Sequence, residues 1–235
     1  MTATPRRVLL LETSHQPGLV GLALAGGVIA RRHLESGRHN ARDLAPAIAA
    51  LFGEQGWSAR DLDAVAVGRG PGSYTGLRVG LMSAKTLAYV TGCPLVALDT
   101  FAVIAAQSPP ECRRIDVIAD AQKEAVYAQS FARADDNWQA VGELRVVEFA
   151  DWLASRDGSA WVGGPGLVRY RERLSTDVSV APADRWSPGL DALLALASRR
   201  LDAGQRDDVH TLEPLYLRAS SAELQWRGRI GRTPA

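Results

Sequence analysis

The 235-residue chain is short of cysteine, lysine, histidine and net charge: it has Cys93 and Cys112, Lys85 and Lys123, four histidines, and 27 basic side chains against 26 acidic ones. Each shortage excludes something. Two cysteines without CxxC spacing build neither a disulfide framework nor a four-ligand zinc site, and they fit a reducing, cytoplasmic setting. His15, His33, His39 and His210 form no HxxxH or HExxH pair, so a helix-borne metal site lacks its ligands. A formal charge of +1 lacks the basic excess of a protein that grips nucleic acid unaided. Trp138, Trp152, Trp161, Trp186 and Trp226 are scattered without interleaved basic residues, as core or interface aromatics rather than an RNA-stacking platform. The one local basic excess, Arg218, Arg227, Arg229 and Arg232, reads as a solvated tail. Long apolar runs are missing too. The uncharged stretch from Thr13 to Ala30 holds His15, Gln16, Pro17 and four glycines, which makes it a hairpin rather than a membrane span, and the N-terminus has no signal-peptide core.

What is present is an ordinary globular composition, 46% apolar, in a length that suits one large domain or two lobes. Val8 to Leu11 is a buried strand, and Leu19 to Leu24 with Val28 to His33 forms a hairpin about Ala25-Gly26-Gly27. Ala41, Leu44, Ala45, Ile48, Leu51 and Phe52 then recur at helical spacing behind Asn40, with Pro46 inside predicting a kink or a later start. Strands at Ala64 to Val67 and Leu95 to Leu98 alternate with helices at Thr75 to Val90 and Thr100 to Gln107. Beyond Ser108-Pro109-Pro110 the pattern repeats in shortened form, with strands at Ile115 to Ala119, Val126 to Phe131, Leu144 to Val147 and Trp161 to Gly163. Helices lie at Phe149 to Arg156 and Pro188 to Leu201. This order predicts an α/β fold of two lobes, 1–108 and 109–235, each a mixed sheet flanked by helices as in ribonuclease H-like folds.

The most informative segment is Gly68-Arg69-Gly70-Pro71-Gly72-Ser73-Tyr74-Thr75-Gly76-Leu77-Arg78-Val79-Gly80, between a predicted strand and a predicted helix. A glycine-rich loop ahead of a helix suits an anion, yet the named versions fail. Leu77-Arg78 stands where a P-loop needs Lys-Ser or Lys-Thr, no dinucleotide fingerprint fits, and Ser73 lacks the flanking glycines of a hydrolase elbow. In the helix, Gly76, Gly80, Ala84 and Ala88 recur every fourth residue and make one face nearly flat, flanked by Leu77 and Leu81. Glycine inside a helix costs about 0.5–1 kcal/mol relative to alanine, so something approaches closely. It is either the protein's own sheet or a partner helix. Arg78, a cation in the first turn, opposes the helix dipole and weighs toward a partner carboxylate or anion.

This segment resembles the signature of the TsaB (YeaZ) family, bacterial partner proteins in tRNA threonylcarbamoyladenosine biosynthesis. The likeness continues in Leu10-Leu11-Glu12-Thr13-Ser14, in Arg38-His39 before a helix with Leu44 and Pro46, in Asp120-Ala121 with Glu124-Ala125-Val126-Tyr127, and in Pro214-Leu215-Tyr216-Leu217-Arg218. The resemblance implies an actin-like ATPase (ASKHA) fold of two ribonuclease H-like lobes. It also implies an accessory role: a TsaD-type subunit transfers the threonylcarbamoyl group to the adenosine beside the anticodon, and a TsaE-type ATPase is the third component. Implied partner-binding residues are His39, Leu44, Ile48, Arg69, Ser73, Tyr74, Thr75, Gly76, Leu77, Arg78, Gly80, Leu81 and Ala84. The flat face would then dock the partner, pair two copies when the chain is alone, and be blocked by Gly80→Leu or Ala84→Trp with the fold intact. Contact with tRNA would be indirect.

Enzymes of the same broad fold place an aspartate in the first strand turn, where this chain has Glu12. Glu12 either holds a hydrated magnesium ion or is a turn residue bonded to the Thr13 or Ser14 backbone. Gly163 and Gly164 lie where such folds approach adenosine, or form a plain turn. Glu12, Thr13, Ser14, Asp120, Gly163 and Gly164 are therefore a candidate vestigial nucleotide site. The leading expectation is a scaffold with no catalytic residue, metal, cofactor or membrane attachment of its own. The rival is an ATP- and magnesium-dependent phosphotransferase or hydrolase using Glu12 and Asp120, and a metallopeptidase ranks last.

Overall fold

Strand β1 (Arg7–Glu12) is apolar on both faces, Val8 and Leu10 pointing one way and Leu9 and Leu11 the other. That is the composition of a central strand covered on both sides. In this computed structural model, which describes residues 6–34, 40–135 and 137–217, it is the middle strand of a five-stranded sheet of order β3-β2-β1-β4-β5. β2 (Leu19–Leu24) and β3 (Gly27–His33) are antiparallel to their neighbours, and β4 (Ala64–Gly68) and β5 (Leu95–Leu98) run parallel to β1. Ala25 and Gly26, with φ of 51° and 84°, make the hairpin turn between β2 and β3.

Helices α1 (Asn40–Gln55) and α2 (Tyr74–Thr91) cover one face, where Leu44, Ile48, Leu51, Leu81, Ala84 and Ala88 meet Leu9, Leu11, Val65 and Val67. α1 runs through Pro46 from Asn40 onward, so the later start is corrected: Pro46 lies on the exposed side. After α3 (Thr100–Ala106), a second sheet of order β8-β7-β6-β9 contains β6 (Arg114–Asp120), β7 (Ala125–Ala134), β8 (Asn137–Glu148) and β9 (Trp161–Gly163). Its pairings, antiparallel for β6–β7 and β7–β8 and parallel for β6–β9, repeat those of β1, β2, β3 and β4. An isolated parallel bridge between Val162 and Val180 stands where the fifth strand would be. The molecule is thus an actin-like α/β fold of two ribonuclease H-like lobes.

β8 is much longer than the predicted Leu144–Val147, because Gly142 and Glu143 interrupt the apolar pattern between Trp138 to Val141 and Leu144. α4 (Phe149–Ser155) matches its prediction, whereas α5 (Leu167–Tyr170) is too short to show a period.

Packing also divides the chain differently from 1–108 and 109–235. α3 presents Phe101, Ile104 and Ala105 to Ile115, Val117 and Phe131 of the second sheet. The last described helix, α6 (Leu190–Asp202), buries Leu190, Leu193, Leu194 and Ala197 against Val8, Leu10, Ala64 and Ala66 of the first. The lobes exchange helices.

Candidate functional site

At the end of β1 the chain turns through Glu12, Thr13 and Ser14, which are 2%, 0% and 1% exposed. The glycines of the signature segment make room for that turn. A Cβ on Gly68 would lie 2.0 Å from the Glu12 carboxylate, one on Gly72 2.4 Å from the Ser14 carbonyl, one on Gly76 2.0 Å from the Thr13 carbonyl, and one on Gly80 2.1 Å from Thr13 Oγ1. Hydrogen bonds fasten the fit: the Thr13 hydroxyl donates to the Gly76 carbonyl at 2.8 Å, and the Ser73 amide donates to the Ser14 carbonyl at 2.7 Å. Ser73 Oγ accepts from the Gly76 amide at 3.3 Å and caps α2.

The expectation of a free docking ridge at Gly76, Gly80 and Ala84 is therefore corrected. The close approach is made by the protein's own Thr13, and Leu77 and Leu81 beside it are buried as well. Leu44 and Ile48 likewise face the core of the first lobe. His39 lies outside the described residues. Arg69 pairs with Asp99 at 2.6 Å, half-exposed at the loop.

Glu12 has the geometry of the turn-residue reading. Its Oε1 accepts the Ser14 amide at 2.8 Å and its Oε2 the Thr100 hydroxyl at 3.5 Å, and among the described residues it forms no ion pair. Burial pushes its carboxyl above the ordinary range, only partly offset by the Ser14 and Thr100 bonds. Sealed this way, Glu12, Thr13 and Ser14 present no open face to a hydrated cation or a phosphate. In the second lobe, Asp120 ends β6 at the surface, accepts the Gln122 amide at 2.9 Å and pairs with Arg169 at 3.3 Å. Gly163 and Gly164 serve close packing there, since a Cβ on Gly164 would come within 2.3 Å of the Ile118 carbonyl. Among the described residues no group of three or more His, Cys, Asp or Glu side chains could hold a metal ion, and no helix is long and apolar enough to cross a membrane.

The raised Glu12 carboxyl sets a pH dependence. A carboxyl that holds its proton more tightly when folded contributes stability that is complete in acid and lost as pH rises from the ordinary glutamate range through the raised folded value. Half-buried His15, pushed down to about 4 by desolvation, acts with the opposite sign: its contribution is complete above the ordinary imidazole range and lost as pH falls through about 4. Glu12→Gln keeps the shape and the Ser14 bond and removes the titrating carboxyl. Its melting temperature is expected to exceed the wild type's at neutral pH and to converge with it in acid. A parallel pair of melting curves across that range would refute the assignment.

The outer face of α2 is different in kind. Met82, Tyr89 and Val90 are 59%, 68% and 73% exposed, with Arg78 and Thr75 exposed one and two turns before Met82. Tyr74 and Arg78 form the N-terminal end of this face, the Arg78 guanidinium lying 4.2 Å from the Tyr74 ring centre. Sequence reasoning missed Met82, Tyr89 and Val90. The signal was there: α2 has apolar residues nearly all round, with Arg78 and Lys85 as its charged residues, and a helix of that composition seeks cover on every side.

The family model described as "TsaD: tRNA N6-adenosine threonylcarbamoyltransferase" matches residues 23–165. Proteins named tRNA threonylcarbamoyladenosine biosynthesis protein TsaB match from end to end: that of Bacillus subtilis (strain 168) is 28% identical over 93% of this chain and 97% of its own length, and that of Escherichia coli (strain K12) 27% over 96% and 99%. A tRNA N6-adenosine threonylcarbamoyltransferase of Solidesulfovibrio magneticus is 44% identical, but over 33% of this chain and 20% of its own length. The YeaZ structure from Pseudomonas aeruginosa superposes with a TM-score of 0.76 at 25% identity, covering 90% of this chain and all of that one. The chain belongs to the TsaD family, in its TsaB (YeaZ) branch. The likeness to the transferase covers part of each chain, and the likeness to TsaB covers nearly all of both.

Proposed function

We propose that this TsaB-type chain is a non-catalytic subunit in tRNA threonylcarbamoyladenosine biosynthesis, acting in the cytoplasm. It docks a TsaD-type transferase through the outer face of α2 and supports transfer of the threonylcarbamoyl group to N6 of the adenosine beside the anticodon, with a TsaE-type ATPase as third component. The observation that carries this reading is the stripe of Met82, Tyr89 and Val90, more than half exposed on one helix of a chain whose relatives are named for this pathway. Large apolar side chains gathered on one face mark an interaction surface. Arg78, Tyr74 and Thr75 extend it, while Gly76, Gly80 and Ala84 act behind it by holding the helix to the sheet. Alone, the same face pairs two copies of the chain, which the partner displaces. Contact with tRNA is made by the complex.

The decisive experiment is reconstitution of adenosine modification from purified components with and without this chain. Full modification in its absence, or modification by this chain without the TsaD-type subunit, would overturn the proposal.

A further inference from the structure

The chain leaves the first lobe through α3 and the turn after it, and returns through residues 186–189 into α6. The two crossings lie side by side: Val103 of α3 packs with Leu190, Leu193 and Leu194 of α6, while Phe101 and Ile104 of α3 face the second sheet. Among the described residues the chain passes between the lobes nowhere else, so any rotation of one lobe against the other has to bend it here. Lobes joined in this way move against each other by default, and a few residues at the crossings absorb the change.

In this chain those residues are laced together. Gln107, which caps α3, directs its whole side-chain amide at the returning crossing. Its Nε2 donates to the Arg185 carbonyl at 2.8 Å and to the Ser187 carbonyl at 2.6 Å, and its Oε1 accepts the Gly189 amide at 2.9 Å. Both donors and the acceptor of the amide are thereby engaged. Arg185 answers from the other crossing, its Nη1 donating to the Gln107 carbonyl at 3.1 Å. Arg133 of β7 holds the outgoing turn. Its Nη2 donates to the Ser108 and Pro109 carbonyls at 3.2 and 3.1 Å and its Nη1 to the Pro110 carbonyl at 3.3 Å, with the guanidinium 4.8 Å from the Trp138 ring centre. A hinge works by letting its backbone groups change direction. Here the carbonyls of residues 107–110, 185 and 187 and the amide of Gly189 are tied, and Pro109, Pro110 and Pro188 fix φ between them.

We infer that the interlobe hinge is clasped, with Gln107 as the clasp and Arg133 as its brace, so that the two lobes turn as one body. The device does not depend on where a partner docks. Its consequence is that a partner meets both lobes in one fixed orientation, and that the closing motion by which two-lobed enzymes shut on a substrate is not available to this chain.

The test reads the distance between the lobes. Nitroxides are attached to the full chain at Arg60→Cys and Glu172→Cys, exposed positions in the first and second lobe, on a Cys93→Ser background. Cys112 is buried, with its thiol pushed up to about 11, and stays unlabelled. The wild-type hinge is compared with Gln107→Ala, Gln107→Glu and Arg133→Met. Gln107→Glu keeps the size and the Gly189 bond but turns an acceptor toward two carbonyls. Double electron–electron resonance is expected to give one narrow distance for the wild-type hinge and a broader distribution or a second distance for the variants. Amide exchange at Gly189 is expected to quicken about tenfold in Gln107→Ala, the factor that one lost hydrogen bond represents, with Leu9 and Leu11 of β1 at wild-type rates. A broad or two-peaked wild-type distribution overturns the single body. A narrow one that survives all three variants, or exchange that rises equally at Leu9, Leu11 and Gly189, overturns the clasp.

Discussion

Replacing Gly76 with valine is expected to leave the first lobe unfolded under conditions where the wild-type chain is native. The first added carbon alone would lie 2.0 Å from the Thr13 carbonyl oxygen, a backbone atom at the end of the central strand. Thr13 cannot step aside, because its hydroxyl is bonded to the Gly76 carbonyl and the next residue's carbonyl is held by the Ser73 amide. Relief requires α2 to lift from the sheet, which uncovers Leu81, Ala84 and Ala88 and opens the space around Leu9 and Leu11. Overpacking a well-filled interior ordinarily costs about 1–3 kcal/mol. Backbone against backbone raises this to about 4 kcal/mol or more, a large part of the roughly 5–15 kcal/mol that holds a domain together. Circular dichroism during urea titration measures it. The matched control is Gly53→Ala, at a helical position with nothing within 4 Å of the new carbon. That change is expected to raise stability by about 0.5–1 kcal/mol. Cooperative unfolding of Gly76→Val at the wild-type midpoint would show that the slot is looser than described. Gly80→Leu, which a free ridge would tolerate, belongs to the same class, since its Cβ meets Thr13 Oγ1 at 2.1 Å.

Charge on the other side of the same helix should do the reverse. Met82→Asp and Tyr89→Asp are expected to weaken the complex with a TsaD-type subunit about a hundredfold or more, with melting temperatures within about a degree of wild type. Both side chains are mostly in solvent in the free chain, so their loss removes little packing. In a complex, each aspartate would bury an unpaired charge where an apolar anchor had been, and central aromatic anchors alone carry about 2 kcal/mol or more. Titration calorimetry reads the loss directly. If both variants bind as wild type does, the docking face lies elsewhere.

These opposed outcomes locate what was legible in the sequence. The apolar run Val8 to Leu11, the Ala25-Gly26 turn and the three-and-four spacing of α1 each depend on neighbours in the chain, and each appears where the pattern places it. The four-residue spacing of Gly76, Gly80, Ala84 and Ala88 did report a close approach. Spacing along a helix states that something comes near but not from which molecule, and Thr13 is 63 residues away in the chain. For Glu12 the sequence left two readings open, and the bond it accepts from the Ser14 amide is the local one of the two. Met82, Tyr89 and Val90 were passed over for the complementary reason: an apolar residue on a helix looks buried until the fold shows how much of it stays exposed. The exchange of α3 and α6 between lobes depends on contacts made across most of the chain, which no window of sequence contains.

That exchange orders events during synthesis. When the ribosome has finished β5, the sheet around β1 has its upper cover from α1 and α2, but the lower side, with Val8, Leu10, Ala64 and Ala66, still waits for Leu190, Leu193 and Leu194. Those leucines are made only after the whole of the second sheet. α3 supplies Val103 to that side soon after β5, and the cover is complete only once the leucines of α6 have been made.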